Sequence, residues 1–201
     1  GQKGNEGNYH NGKMNGMWTY WYANGNIWKT GHFTDDLKSG LWVVNYENGQ
    51  VFYKGEFVNG QEEGAWNSWY ENGKPYMSGT FLHRKMNGKW ESWYENGAKE
   101  YEIYYKENIK DGVARYYNEN GISQLIESHK DGVLNGQYTT FYADGKENIS
   151  GYYLNGEKNG EPVKMPVALI DILAAHHLKE GLLLALLKRD RTGEGSLVEV
   201  S

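Results

Sequence analysis

A 24-residue period runs through the first 160 residues without an insertion. Gly16, Gly40, Gly64, Gly88, Gly112, Gly136 and Gly160 keep that spacing. A second column reads Asn24-Gly25, Asn48-Gly49, Asn72-Gly73, Asn96-Gly97, Asn120-Gly121 and Asp144-Gly145. A third runs Trp18, Trp42, Trp66 and Trp90, weakens to Ala114 and Tyr138, and then meets Pro162. A fixed period of this size belongs to stacked supersecondary units, not to one globular core. It stops at Pro162, so the expected domains are a β-repeat domain over 1–160 and a different segment over 161–201.

One unit shows what repeats. Around Gly79 to Lys99 the spacing predicts a short strand over about Tyr76–Leu82, then a polar loop ending at Asn87-Gly88. A second strand follows over about Lys89–Tyr94, and Glu95-Asn96-Gly97 turns the chain back. Asn-Gly is the strongest short hairpin signal, because both residues tolerate the positive φ of a type I′ turn. The Gly88 column is expected to mark the other turn. Two strands per unit advance by about 10 Å, so seven units extend about 65 Å.

Aromatics make up 15% of the chain, and the last of them is Tyr153. Alternation puts Trp66 and Tyr70 on one face and Trp69 on the other; Trp90, Tyr94 and Trp93 follow the same rule. A single-layer sheet has no second layer, so stacked rings must supply its cohesion. The same six residues are the candidate binding positions for a partner chain, a glycan or a lipid, should either face be open. Glu47, Glu71, Glu95 and Glu119 form an acidic column beside the turns. It reads as a solvated rim that discourages edge association, or as a stripe for a basic partner.

Gly64-Ala-Trp-Asn-Ser-Trp-Tyr-Glu-Asn-Gly73 and Gly88-Lys-Trp-Glu-Ser-Trp-Tyr-Glu-Asn-Gly97 resemble the MORN repeat. The variant is the bacterial one of YwqK-like antitoxin proteins, and Gly136 to Gly145 is a looser match. The resemblance spans about residues 7–160 and implies a protein- or lipid-contacting scaffold rather than an enzyme. The unit at 103–126 departs from it: Ile103 replaces the strand glycine, Ala114 the Trp and Asn118 the Tyr. The ladder is expected to be weakest there.

From Pro162 the style changes. Ile170–Arg189 reads as a Leu- and Ala-rich helix, broken at Thr192-Gly193-Glu194-Gly195, with Leu197–Val200 able to begin a strand. Asp171, His176, His177, Lys179 and Glu180 interrupt the apolar residues, which argues against a membrane span. Asp171 at the helix head, Gly181, and Arg189 to Gly195 resemble a piece of a class III (CaiB/BaiF) CoA-transferase. That resemblance implies Asp171 as an acyl-accepting nucleophile and CoA as cofactor. A helix start would keep such a carboxylate ionised. The family builds its CoA site on residues before this aspartate, and here β-repeats occupy that place. The tail therefore reads as a remnant, a fusion, or a cap over the last strand.

Composition excludes several classes. The net charge is −5, which argues against nucleic acid and weakens membrane-surface binding. There is no cysteine, so disulfides and thiolate metal sites are out. His10, His32, His83 and His129 fall at different repeat positions, and His176 and His177 are adjacent in the tail, about 100° apart on a helix, so the six have no ligand spacing. Starting at Gly1 without a signal-like run, the chain reads as a trimmed or mature form. The cytoplasm is the favoured compartment, with a secreted or periplasmic place left open.

The expected fold is mainly β: a single-layer antiparallel β-meander of 24-residue hairpin repeats, six full and a seventh half, with a C-terminal α-helix. The expected function is a non-enzymatic scaffold for protein–protein interaction, without a cofactor and with an unidentified protein partner. A homodimer through the C-terminal helix is a further arrangement. The alternative is a CoA-transferase fragment with Asp171 as nucleophile.

Overall fold

A computed structural model describes residues 3–159 of the 201-residue chain. The chain divides into two units, Gly1–Gly160 and Glu161–Ser201, and every described residue lies in the first. The strands are β1 (Asn5–His10), β2 (Lys13–Trp21), β3 (Ile27–Thr34), β4 (Leu37–Asn45), β5 (Val51–Val58), β6 (Gln61–Trp69) and β7 (Pro75–Leu82). They continue as β8 (Lys85–Trp93), β9 (Lys99–Lys106), β10 (Ile109–Tyr117), β11 (Ser123–Lys130), β12 (Val133–Phe141), β13 (Glu147–Leu154) and β14 (Glu157–Asn159). All fourteen form one antiparallel sheet in sequence order.

This corrects the expected fold class. The described residues are all-β in one open sheet, with no helix among them. The helix expected over Ile170–Arg189 lies outside the described residues. The seventh repeat is also more than a half: β14 returns as a short second strand, paired from Leu154↔Glu157 to Tyr152↔Asn159.

The turns are the reverse of the sequence expectation. Odd strands pass to even ones through two-residue turns such as Asn59-Gly60 (φ 50°, 76°) and His83-Arg84 (φ 50°, 68°). Positive φ at both residues is the type I′ geometry, which matches the twist of the flanking strands. At the Asn-Gly column only the glycine has positive φ, as at Gly97 (96°). Gly97 N donates to Tyr94 O at 2.8 Å and Ala98 N to Asn96 Oδ1 at 2.8 Å. That is a type I turn closed by a left-handed glycine. Here Asn96 caps the turn with its carboxamide rather than adopting positive φ itself.

Gly88 closes no turn. It lies inside β8 with φ 72°. Between the pairs Thr80↔Asn87 and Ser78↔Glu91, Gly88, Lys89 and Trp90 stand against Gly79 alone. This bulge lays the Trp90 ring flat on the Gly79 backbone, where an added Cβ would come within 2.1 Å of the ring. Gly31 with Trp42 and Gly55 with Trp66 repeat the arrangement.

One face thus carries a continuous edge-to-face chain: Tyr9, Trp18, Phe33, Trp42, Phe57, Trp66, Phe81, Trp90. Neighbouring centroids are 5.0–6.2 Å apart with planes at 72–88°. Such contacts contribute about 0.5–1.5 kcal/mol each beyond area burial. Past Trp90 the filling changes but burial does not. Ile103, Ala114, Tyr116 and Leu125 are all at most 1% exposed. Ala114 pairs with Ile103 on one side and Glu127 on the other. The small residue vacates the space of a Trp ring, and its two larger neighbours fill it.

The two rims are laced between repeats. Tyr22, Tyr46, Tyr70 and Tyr94 each donate a hydroxyl to a carbonyl one repeat on, at 2.7–2.9 Å. On the opposite rim, amides of the tight turns donate one repeat back, as in Gly60 N to Lys38 O at 2.8 Å and Asn108 N to Met86 O at 2.9 Å. These bonds satisfy turn groups that would otherwise face solvent.

Candidate interaction surface

The structure separates the six candidate residues into three settings. Trp66 and Trp90 belong to the ring chain; Trp90 is 1% exposed and donates Nε1–H to Thr80 O at 3.2 Å. Trp66 is half-buried and also stacks on Tyr53 at 5.6 Å and 21°. Tyr70 and Tyr94 belong to the rim, their hydroxyls bound to Trp93 O at 2.7 Å and Tyr117 O at 2.8 Å. Burial, then the charges of Glu100 and Glu119, push the Tyr94 phenol up to about 12. Burial, with Glu100 next, pushes Tyr70 up as well.

Trp69 and Trp93 are different. They close β6 and β8 on the face opposite the ring chain, half-buried, paired with Pro75 and Lys99. Lys54 Nζ lies 5.4 Å from the Trp69 ring, a cation–π distance. Sequence reasoning missed the rest of their column. Trp21, Tyr117 and Phe141 occupy the same repeat position, all half-buried, with Asn45 as the interruption. The signal was present: the 24-residue step from Trp69 reaches each of them. Successive members stand two strands apart, about 10 Å.

A charged network adjoins Trp93 on that face. Lys89 Nζ lies 2.8 Å from Glu102 and 3.0 Å from Glu91. Lys99 Nζ reaches Glu91 at 2.5 Å and Glu102 at 3.2 Å, and Arg115 joins Glu102 at 3.1 Å. Burial opposes ionisation of Glu91 and Glu102, but the two ammonium groups outweigh it and hold both carboxyls below the ordinary range. The same contacts raise Lys89. Exposed pairs contribute little singly; shared partners and partial burial make this group a fixed pattern of charge.

The opposite face buries charge further along. Glu127, 3% exposed, stands where other repeats have glycine. Lys110 Nζ is 3.4 Å from its Oε1, the Tyr116 hydroxyl 3.2 Å and His129 Nε2 3.8 Å. Among the described residues, no three His, Cys, Asp or Glu side chains come together to hold a metal ion. Asp171 lies outside them. The acidic column is exposed at the Asn-Gly rim, where the Glu47, Glu71 and Glu119 carbonyls accept from the preceding repeat's asparagine.

The family model described as MORN repeat variant matches residues 14–35, 38–59, 62–83 and 86–107. Residues 14–107 are four MORN-variant repeats. Each MORN match joins an even strand to the odd strand after it, and each contains one of the four Trp rings, Trp18, Trp42, Trp66 and Trp90, laid on a glycine of the strand before it. The matches end before Ala114 removes the ring. A CoA-transferase family III model matches residues 147–201. Its first residues coincide with β13 and β14, which belong to the meander. No curated protein matches the chain.

Proposed function

We infer that this chain is a repeat scaffold that binds another protein through the face bearing Trp69 and Trp93. The division of the tryptophans supports this most directly. Trp42 and Trp90 are committed to cohesion at 1% exposure. The column through Trp69 and Trp93 is left half-buried, on a sheet already braced at both rims. A pre-formed surface binds with little ordering cost, and aromatic anchors beside fixed charges are common contact hot spots. Trp66 and Trp90 act on binding through the ring chain, and Tyr70 and Tyr94 through the rim.

The test captures host proteins on the immobilised full chain and compares Trp69→Ala with Trp93→Ala. Each variant should keep the β-sheet circular dichroism and lose the captured partner. Unchanged capture by the double variant would remove this face from the reading.

A second reading, a CoA-transferase fragment with Asp171 as acyl acceptor and CoA as cofactor, is favoured by the match over 147–201. Calorimetry with CoA and acetyl-CoA separates the two. Saturable binding lost in Asp171→Ala or on truncation at Gly160 supports the enzyme, and no heat from the folded full chain sinks it.

A further inference from the structure

Five Asn-Gly steps recur in register on one rim, at Asn24, Asn48, Asn72, Asn96 and Asn120. Such a step carries its own reaction. The glycine amide nitrogen attacks the asparagine Cγ, since glycine has no side chain to obstruct the approach. The new N–Cγ bond forms, the Cγ–Nδ2 bond breaks and ammonia leaves with the amide proton. Water then opens the succinimide to aspartate or isoaspartate. A carboxamide held at both ends must first give up its hydrogen bonds.

Four of the five are held at both ends. Their Oδ1 atoms accept from Asn26, Gln50, Lys74 and Ala98 N at 2.8–2.9 Å. Their Nδ2 atoms donate to the next repeat, to the carbonyls of Glu47, Glu71 and Glu119 and to Glu95 Oε1, at 2.7–3.3 Å.

Asn120 differs. The amide that should cap onto it, Ile122 N, donates instead to Asn118 Oδ1 at 3.0 Å, which also accepts Asn120 N at 3.0 Å. Among the described residues no hydrogen bond holds the Asn120 carboxamide. The cause is visible in the sequence. Asn118 stands in the column of Tyr22, Tyr46, Tyr70 and Tyr94. Those side chains reach a carbonyl one repeat on; Asn118 is too short and folds over its own turn.

Exposure does not separate the five, since all are exposed. Neither does the attacking nitrogen: Gly25, Gly49, Gly73, Gly97 and Gly121 N all donate within the turn at 2.8–3.0 Å. Only the carboxamide differs. Asn11, Asn59 and Asn155 also precede glycine, but sit in the left-handed region with φ of 50–52°. Its positive ψ carries the glycine nitrogen away from Cγ.

We propose that Asn120 is a deamidation site, and that the inter-repeat asparagine ladder protects the other four. Conversion adds a carboxylate beside Glu119. The isoaspartyl product also lengthens the backbone at the β10–β11 turn.

The experiment ages the full chain at mildly alkaline pH and follows each Asn-Gly peptide by mass spectrometry. Asn120 should convert several-fold faster than Asn24, Asn48, Asn72 or Asn96 in the folded chain. In urea the five rates should converge. Asn118→Tyr returns the Ile122 amide to Asn120 and should slow its conversion to the level of the others. Equal folded rates overturn the proposal. So does an unchanged Asn120 rate in a folded Asn118→Tyr chain. If that variant does not fold, the comparison of native chain with urea decides alone.

Discussion

The four MORN repeats and the two units that follow them share one backbone and fill it differently. Through Trp90 the rule is large against nothing: a tryptophan ring laid on a glycine. From Ile103 the rule is medium against small, with Ile103 and Glu127 flanking Ala114. Trp66 apart, both solutions bury their residues to about the same degree. The sheet therefore specifies a volume to be filled, not a residue type, in keeping with the tolerance of cores for volume-conserving change.

The largest effect expected is from breaking the Gly79–Trp90 pair, which joins one MORN match to the next. Trp90→Ala removes a fully buried ring and should cost about 3–5 kcal/mol. Gly79→Ala should cost about 2–3 kcal/mol, because its Cβ forces the ring aside. Gly79→Ile with Trp90→Ala copies the Ile103–Ala114 solution. The double variant should lose less than the sum of its singles, with a coupling of about 1–3 kcal/mol by urea unfolding. Additive losses would mean that the two regions are not alternative fillings of one volume.

The next effect belongs to the later region alone. Lys110→Met takes the ammonium from Glu127, whose side chain is 4% exposed. The buried carboxylate then keeps the Tyr116 hydroxyl and His129 but loses its ammonium partner, which should cost about 3 kcal/mol. Lys89→Met in the half-exposed network should cost under about 1 kcal/mol. Equal losses would show that burial does not distinguish the two charge groups.

The period, the strand count per unit and the alternation of Trp66 and Trp69 were legible because each depends on spacing alone. The turn types were not. Asn-Gly suits either a type I′ turn or a type I turn with a left-handed glycine, and only the register separates them: the β8–β9 pairing slips between Ser92 and Trp93, beside the turn. Gly88 itself was misplaced for the same reason, since positive φ marks a bulge as readily as a turn. The replacements at Ile103 and Ala114 were visible one by one. Their compensation was not, because it requires knowing that the two stand opposite each other. In the candidate surface, the column of Trp21, Tyr117 and Phe141 was within reach of the period, whereas the Lys89–Glu102 network needed the register.

The rim tyrosines give a smaller, pH-dependent effect. The folded Tyr94 phenol is pushed up to about 12 from its ordinary 10.0. A raised value means that the folded state holds its proton longer than the unfolded state. The corresponding stability is whole below pH 10 and is lost as pH climbs from 10 towards 12. Alkaline unfolding followed by phenolate absorbance should show this loss. Tyr94→Phe should remove part of it, and should cost about 1 kcal/mol at neutral pH because Tyr117 O loses its donor.

Tyr138 supplies the matching case from the later region, with the smallest expected effect. It stands in the Trp column, 3% exposed, its ring 5.4 Å from Tyr153. Among the described residues its hydroxyl has no hydrogen-bond partner. Burial, then the Glu127 charge, raises its pKa too. Tyr138→Phe keeps the ring and removes a buried polar atom, so stability at neutral pH should be unchanged or up by about 1 kcal/mol. A loss matching that of Tyr94→Phe would show that the Tyr138 hydroxyl is bonded in solution. The later region would then be held by polar contacts as the rim is, and not by volume alone.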